Sequence, residues 1–199
     1  MTPPRADYSS YYDARLGRRV HKLAPGCFHV ATADELISTL LGSCVAACIY
    51  DPLRAIGGMN HFLLPDGKPG DRHGAPVSTS NRYGVFAMES LINALLARGA
   101  SKHRLRVKLF GGGRILSQLS DVGARNIEFV RRFVETEGLP IEAEDLGGEQ
   151  ARRVLMYPGT GRVRVRKLPI LGARNVGLEE TRYLESVDTP RGSVELFDS

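Results

Sequence analysis

Apolar positions along the chain fall into short runs near both ends and two longer, helically spaced stretches between them. The densest short run is Val45 to Tyr50, VAACIY, bounded by Gly42 and by Asp51-Pro52. Its length and bounds predict a buried strand. Asp51-Pro52-Leu53-Arg54 reads as a turn. The next apolar segment is Ile56 to Leu64, where Gly57-Gly58 permits a bulge or the close approach of another backbone. Two such strands joined by a short turn pair most simply as antiparallel neighbours. Further strands are predicted at Cys27 to Ala31, Glu35 to Leu40, Leu105 to Phe110, Ile141 to Leu146, Arg152 to Tyr157 and Arg162 to Leu168. The last two flank Pro158-Gly159-Thr160-Gly161, a hairpin turn by composition.

The longer stretches carry the helical period. From Arg82 to Arg98, Val85, Met88, Leu91, Ile92 and Leu95 recur at three- and four-residue spacing. Asn81 is the expected cap of this helix and Gly99 its expected end. A second helix runs from the Asp121-Val122-Gly123-Ala124-Arg125-Asn126 region to about Glu137. Ile127, Val130, Phe133 and Val134 face inward and Gly138 is the stop. Residues 65–81 read as a loop, and residues 115–118 as a loop or short helix. Strands at both ends with helices between them predict an α/β (α+β) layered sandwich with a mixed sheet and two main helices. Residues 1–24 are polar and rich in Tyr and Arg, and are expected to form a mobile arm. The domain is expected over residues 25–168. Residues 169–199 show little periodicity and are expected as a peripheral segment or tail.

Composition narrows this picture only slightly. With 27 basic and 22 acidic side chains the net charge is +5, a solubility setting rather than a nucleic-acid signature. No apolar run approaches the length of a membrane helix, and the N-terminus lacks the apolar core of a secretory signal. Three cysteines, an odd number, predict free thiols in a reducing cytoplasm.

The candidate chemistry lies at the ends of the two paired strands. Cys44 follows Gly42-Ser43 directly, and His61 comes just before the end of the second segment. Antiparallel pairing brings them together. A thiol paired with an imidazole has its pKa lowered from ~8.5 to between ~3.5 and ~7.5. It then attacks amide and ester carbonyls. Backbone N–H groups near the Gly42 turn, from Gly42 and Ser43 onward, would face a developing oxyanion. The competing structural reading is a small buried hydrophobe, which free cysteines commonly are. Cys48 would share a face with Cys44 but stand ~13 Å away in a strand, too far for a disulfide. A metal site of Cys44, Cys48 and His61 requires a helix there instead. Cys27 reads as structural. His21, His73 and His103 read as surface residues, and His29 as a strand residue that could face inward. The glycine triplet at 111–113 lacks the Lys-Ser/Thr of a phosphate loop and reads as a tight backbone approach lining the site. Arg162, Arg164 and Arg166 alternate onto one face, either solvated or docking an acidic partner.

Several motifs together carry a resemblance. LGSCVAACIYDP at 41–52, GGMNHFLLP at 57–65, RYG at 82–84, GGG at 111–113, GARN at 123–126 and EDLGGEQARRV at 144–154 stand in one order over residues 25–168. The sequence resembles the CheD family, the chemoreceptor glutamine deamidases of bacterial chemotaxis. The resemblance implies a layered α/β sandwich related to the catalytic domain of cytotoxic necrotizing factors. It implies Cys44 as nucleophile and His61 as general base. The family's third polar residue is a hydroxyl shortly before the cysteine; Ser38 and Thr39 are both candidates, and the family spacing points to Ser38. The implied activity is hydrolysis of receptor glutamine to glutamate with release of ammonia, without metal or cofactor. The implied partners are the helical cytoplasmic region of methyl-accepting chemotaxis receptors and, in some members, a CheC-type phosphatase. Neither nucleic acid binding nor membrane insertion is implied. Family members can also act on receptor methyl esters. The alternative reading is a non-catalytic adaptor for receptors or such a phosphatase.

Overall fold

The structure, a computed structural model, describes residues 8–64, 79–115 and 120–188. Among these residues ten strands form two five-stranded sheets, and three α-helices accompany them. In chain order the strands are β1 (Tyr8–Asp13), β2 (Arg18–Leu23), β3 (Phe28–Ala31), β4 (Glu35–Leu41), β5 (Val45–Asp51), β6 (Ile56–Asn60), β7 (Arg106–Gly111), β8 (Ile141–Leu146), β9 (Arg152–Tyr157) and β10 (Arg162–Lys167). The helices are α1 (Thr79–Ala97), α2 (Ser120–Thr136) and α3 (Ile170–Asp188).

The first sheet has the order β1-β2-β4-β9-β10 and the second β3-β6-β5-β7-β8. Each is mixed, with one parallel pair: β2 with β4 in the first, β7 with β8 in the second. β5 pairs antiparallel with both β6 and β7 and is central. It is buried along its whole length, which is why its sequence is continuously apolar rather than alternating. Val45, Ala47 and Ile49 join a core that includes Met88, Leu91 and Leu95 of α1 and Val130 and Val134 of α2. Ala46, Cys48 and Tyr50 join a second core with Ile37 of β4 and Val154 and Met156 of β9. The molecule is therefore layered as sheet, sheet and helices. Burying a Leu or Met side chain in such a core stabilises by roughly 1.5–3 kcal/mol.

Several predicted details hold and others change. Gly58 lets α1 approach: a methyl group there would lie 2.6 Å from Leu91 and 2.7 Å from the His29 carbonyl oxygen. α1 ends as expected at Gly99, whose φ of 89° only glycine adopts readily, and Ala100 N–H closes the end onto the Leu95 carbonyl. Its start is earlier than expected, at Thr79, so Asn81 lies inside the first turn instead of capping it. Of the two predicted loops, residues 65–78 and 116–119 lie outside the described residues.

Three corrections are larger. Tyr8–Asp13 and Arg18–Leu23, expected as part of a mobile arm, are strands of the first sheet; β2 pairs with β4 in register Val20 to Leu36. Val20 and Leu23 are fully or almost fully buried, so the polar bias of this segment hid two inward positions. Ile170–Asp188, expected as a peripheral segment, is a third helix, α3. Its buried positions Val176, Glu180 and Leu184 recur every fourth residue, but a charged residue in the middle masks the apolar period. His21, expected at the surface, is 6% exposed, stacked on His29 and bonded to Glu35.

Candidate active site

The antiparallel β5–β6 pair is the frame of the site. Isolated pairing continues past β6 to Val45 and Phe62, with both backbone hydrogen bonds made. This register brings Cys44, just before β5, beside His61, just after β6. The Cys44 Sγ and a ring nitrogen of His61 lie within 4.8 Å of one another, and both residues are buried.

The tight turn Gly42-Ser43 is braced from three directions. Gly113 N–H donates to the Gly42 carbonyl (2.6 Å) and Gly112 N–H to the Cys44 carbonyl (2.7 Å). The glycine triplet is thus a tight backbone approach lining the site. Asn126, from the GARN motif on α2, donates from Nδ2 to the Ser43 carbonyl (2.8 Å). Its Oδ1 accepts from Leu64 N–H (2.9 Å), which ties the cysteine turn to the segment carrying His61.

The orientation of His61 follows from one hydroxyl. Thr39 Oγ1 is 2.8 Å from His61 Nδ1 and 3.0 Å from the Leu23 carbonyl oxygen. A carbonyl only accepts, so the Thr39 proton goes to Leu23. Thr39 must then accept from Nδ1–H of the neutral ring. Nε2 is left with its lone pair, buried and with no hydrogen-bond partner among the described residues. Burial pulls the imidazole pKa down to about 3, against a weaker upward pull from the Leu23 carbonyl, so the ring is a neutral base. Ser38 points to the opposite face of β4 and donates to the Val154 carbonyl (3.0 Å). Adjacent residues on a strand face opposite sides, so only one of the two can reach His61. That one is Thr39, rather than the Ser38 favoured by the resemblance.

The backbone N–H groups of the turn converge on a carboxylate. Glu180 of α3 accepts at Oε1 from Gly42 N–H (2.8 Å) and Cys44 N–H (3.0 Å). Its Oε2 accepts from Ser43 N–H (2.8 Å) and Ser43 Oγ (2.6 Å). Four donors converge on this one carboxylate and form a hole suited to an anion. Glu180 escaped the sequence reading; its only signal is the fourth-residue spacing of Val176, Glu180 and Leu184.

The thiol differs from expectation. Burial, and then the neighbouring Glu180 carboxylate, push the Cys44 pKa well above the usual thiol value. The expected imidazole-lowered thiolate is therefore not the state of this arrangement. A low-dielectric setting with an anion at hand disfavours a second anion.

Cys44, His61 and Glu180 lie close enough to share a metal ion. Cys48, which could join such a group only if this run were a helix, is not in it; it lies within strand β5, facing the core between the sheets. The N–H groups of Gly42, Ser43 and Cys44 direct positive dipole ends into the same space, which suits an anion and opposes a cation. Among the described helices none is long and apolar enough to cross a membrane. β10 is an exposed edge strand whose Arg162, Arg164 and Arg166 are solvated, a common protection of sheet edges.

Comparisons with known proteins point to the family that the sequence resembles. The family described as CheD chemotactic sensory transduction matches residues 63–167. The chain is 45% identical over 188 residues to a probable chemoreceptor glutamine deamidase CheD of Hydrogenovibrio crunogenus, covering 93% of this chain and 97% of that one. It is 47% identical over 193 residues to the protein of that name from Halorhodospira halophila, covering 94% and 88%. With the relative from Saccharophagus degradans it shares 44% over 194 residues, covering 94% and 88%. Among solved structures, a partial likeness with TM-score 0.37 and 16% identity is to Bacillus licheniformis hypothetical protein YfiH, over 56% of this chain and 47% of that one. At this level of identity over nearly the whole of both chains, the protein belongs to the CheD family.

Proposed function

We propose that this chain is a protein-glutamine deamidase acting on methyl-accepting chemotaxis receptors. The observation that carries the reading is the constellation itself: a thiol, a tautomer-fixed imidazole and an N–H-lined anion hole within one buried site. The names of the relatives supply the substrate, a chemoreceptor glutamine. No metal or cofactor is required by this chemistry.

His61 Nε2 takes the Cys44 proton as Sγ attacks the side-chain carboxamide carbon. The oxyanion is held by the N–H groups of Gly42, Ser43 and Cys44. The protonated imidazole gives its proton to the departing nitrogen, and ammonia leaves a thioester. Water, deprotonated by His61, then hydrolyses the thioester, restoring the thiol and leaving glutamate. Thr39 keeps the ring in the useful tautomer throughout, as the buried partner does in other triads. The same steps with methanol as leaving group would hydrolyse a receptor methyl ester. A cytoplasmic setting, contact with the helical receptor region, a CheC-type phosphatase partner and a fold relation to cytotoxic necrotizing factors belong to this same reading.

The test is incubation of the protein with a receptor cytoplasmic fragment, followed by peptide mapping for glutamine-to-glutamate conversion. Cys44→Ala and His61→Ala are each expected to abolish conversion while staying folded. Conversion retained by the cysteine variant would overturn the mechanism.

A further inference from the structure

The carboxylate of Glu180 is the chemical product of the proposed reaction, and it stands in the proposed oxyanion hole. We propose that α3 is a displaceable intramolecular product mimic, occupying the seat of the substrate helix with Glu180 in place of the glutamate just formed. This rests on the deamidase reading.

Three features support it. First, Glu180 is 1% exposed, and no Lys or Arg among the described residues pairs with it. Burying a carboxylate without a cation is costly, and an apolar residue between Val176 and Leu184 would hold the helix down better. The acid is therefore matched to the hole, not to the packing of α3. Second, the contacts of α3 lie along one side of a single helix. Leu184 enters the core between the sheets. Tyr183 lies over Gly26, where any side chain would collide with its ring, and its hydroxyl meets that of Tyr83. α3 contributes no strand pairing, so releasing it leaves both sheets intact. Third, a cleft of about 590 Å³ runs beside α3, lined by Leu23, Leu40, Glu179 and Arg182, and reaches His61. A competing helix has a place to enter.

With α3 seated, the thiol is protonated and covered, and the enzyme is latent. A receptor helix bearing glutamine must displace it, so the apparent affinity is reduced by the fraction of molecules in which the seat is open.

The experiment uses the full chain and three variants. In Glu180→Gln the site is presented with its own substrate. Cys44 Sγ would attack the carboxamide carbon introduced at position 180, the C–N bond would break, ammonia would leave with the His61 proton, and water would return glutamate. Peptide mapping is expected to find glutamate at position 180 in this variant and glutamine in Glu180→Gln/Cys44→Ala. In Glu180→Ala the KM for a receptor fragment is expected to fall about tenfold or more with little change in kcat. Iodoacetamide is expected to alkylate Cys44 faster than in the parent by a similar factor.

Retention of glutamine at position 180, with KM and alkylation rate unchanged in Glu180→Ala, would overturn the mimic while receptor conversion by the parent upheld the deamidase reading. Faster alkylation in Glu180→Ala with no receptor conversion by any form, and glutamine retained at position 180, would leave α3 as a cover only and overturn both the product-mimic role and the deamidase reading.

Discussion

Thr39 Oγ1 and His61 Nδ1 are 2.8 Å apart, and because Thr39 also donates to the Leu23 carbonyl the proton between them belongs to the imidazole. Removing that acceptor frees the ring to rotate or change tautomer. Thr39→Val is expected to lower kcat by about 10- to 100-fold with KM little changed, and Thr39→Ser to restore most of it. Ser38→Ala, which removes only the bond to Val154, is expected to keep near-parental kcat and lose about 1 kcal/mol of stability. Steady-state kinetics on a receptor fragment and urea melts of all three variants check this.

The raised Cys44 pKa predicts slow alkylation of the intact protein at neutral pH. The rate is expected to climb only well beyond the pH at which an ordinary thiol, near ~8.5, titrates. The sign for stability follows. The folded state holds this proton more tightly than the unfolded chain, so the contribution is full below the unfolded pKa and is lost as pH rises toward the folded one. Alkylation rates from pH 6 to 10 (about four units), read by intact mass, test the prediction; a rate plateau already reached at neutral pH would contradict it.

At the acid end His61 dominates. Its pKa is depressed by burial to about 3 from an ordinary 6.5, and that of His29 to about 4, again by burial first and then by His21. The folded state binds these protons less readily than the unfolded chain. Stability is therefore full above pH ~6.5 and declines as pH falls toward the folded values. His61→Gln is expected to flatten this decline relative to the parent between pH ~6.5 and ~4. Thermal melts across that range measure the difference.

Asn126 joins the Ser43 carbonyl to Leu64 N–H. Asn126→Ala leaves both buried groups without their partner, at a cost of about 2–4 kcal/mol. The turn that carries Cys44 is also released, so kcat is expected to fall along with Tm. Asn126→Asp keeps the acceptor for Leu64 but not the donor for Ser43, and is expected to recover less than half of the lost stability. Calorimetry paired with single-turnover rates separates the two effects.

Much of this was legible from residues alone. The Val45–Tyr50 run and the turn at Asp51-Pro52 predict the β5–β6 pair, and that pairing alone predicts the meeting of Cys44 and His61. Heptad-like spacing in α1 and α2 survives because their inner positions, Asn126 of α2 apart, are apolar. β1 and β2 were hidden because edge and near-edge strands carry exposed Tyr, Ser and Arg side chains, and tertiary pairing outweighed a polar composition. α3 was hidden for a different reason: the residue that gives it meaning, Glu180, is charged and interrupts the period. The choice between Ser38 and Thr39 depends on which side of β4 faces the second sheet, and two neighbouring polar residues in sequence do not reveal that.

The site also spans the seam of the sandwich. Cys44 and His61 are anchored on neighbouring strands of the second sheet, whereas Thr39 belongs to β4 of the first. Sliding of one sheet over the other would leave thiol and imidazole together yet carry the orienting hydroxyl away. Chemical competence is thus a gauge of how the two layers are seated. Core substitutions between the sheets, at Met59 or Met156 for instance, should register in turnover before they register as unfolding.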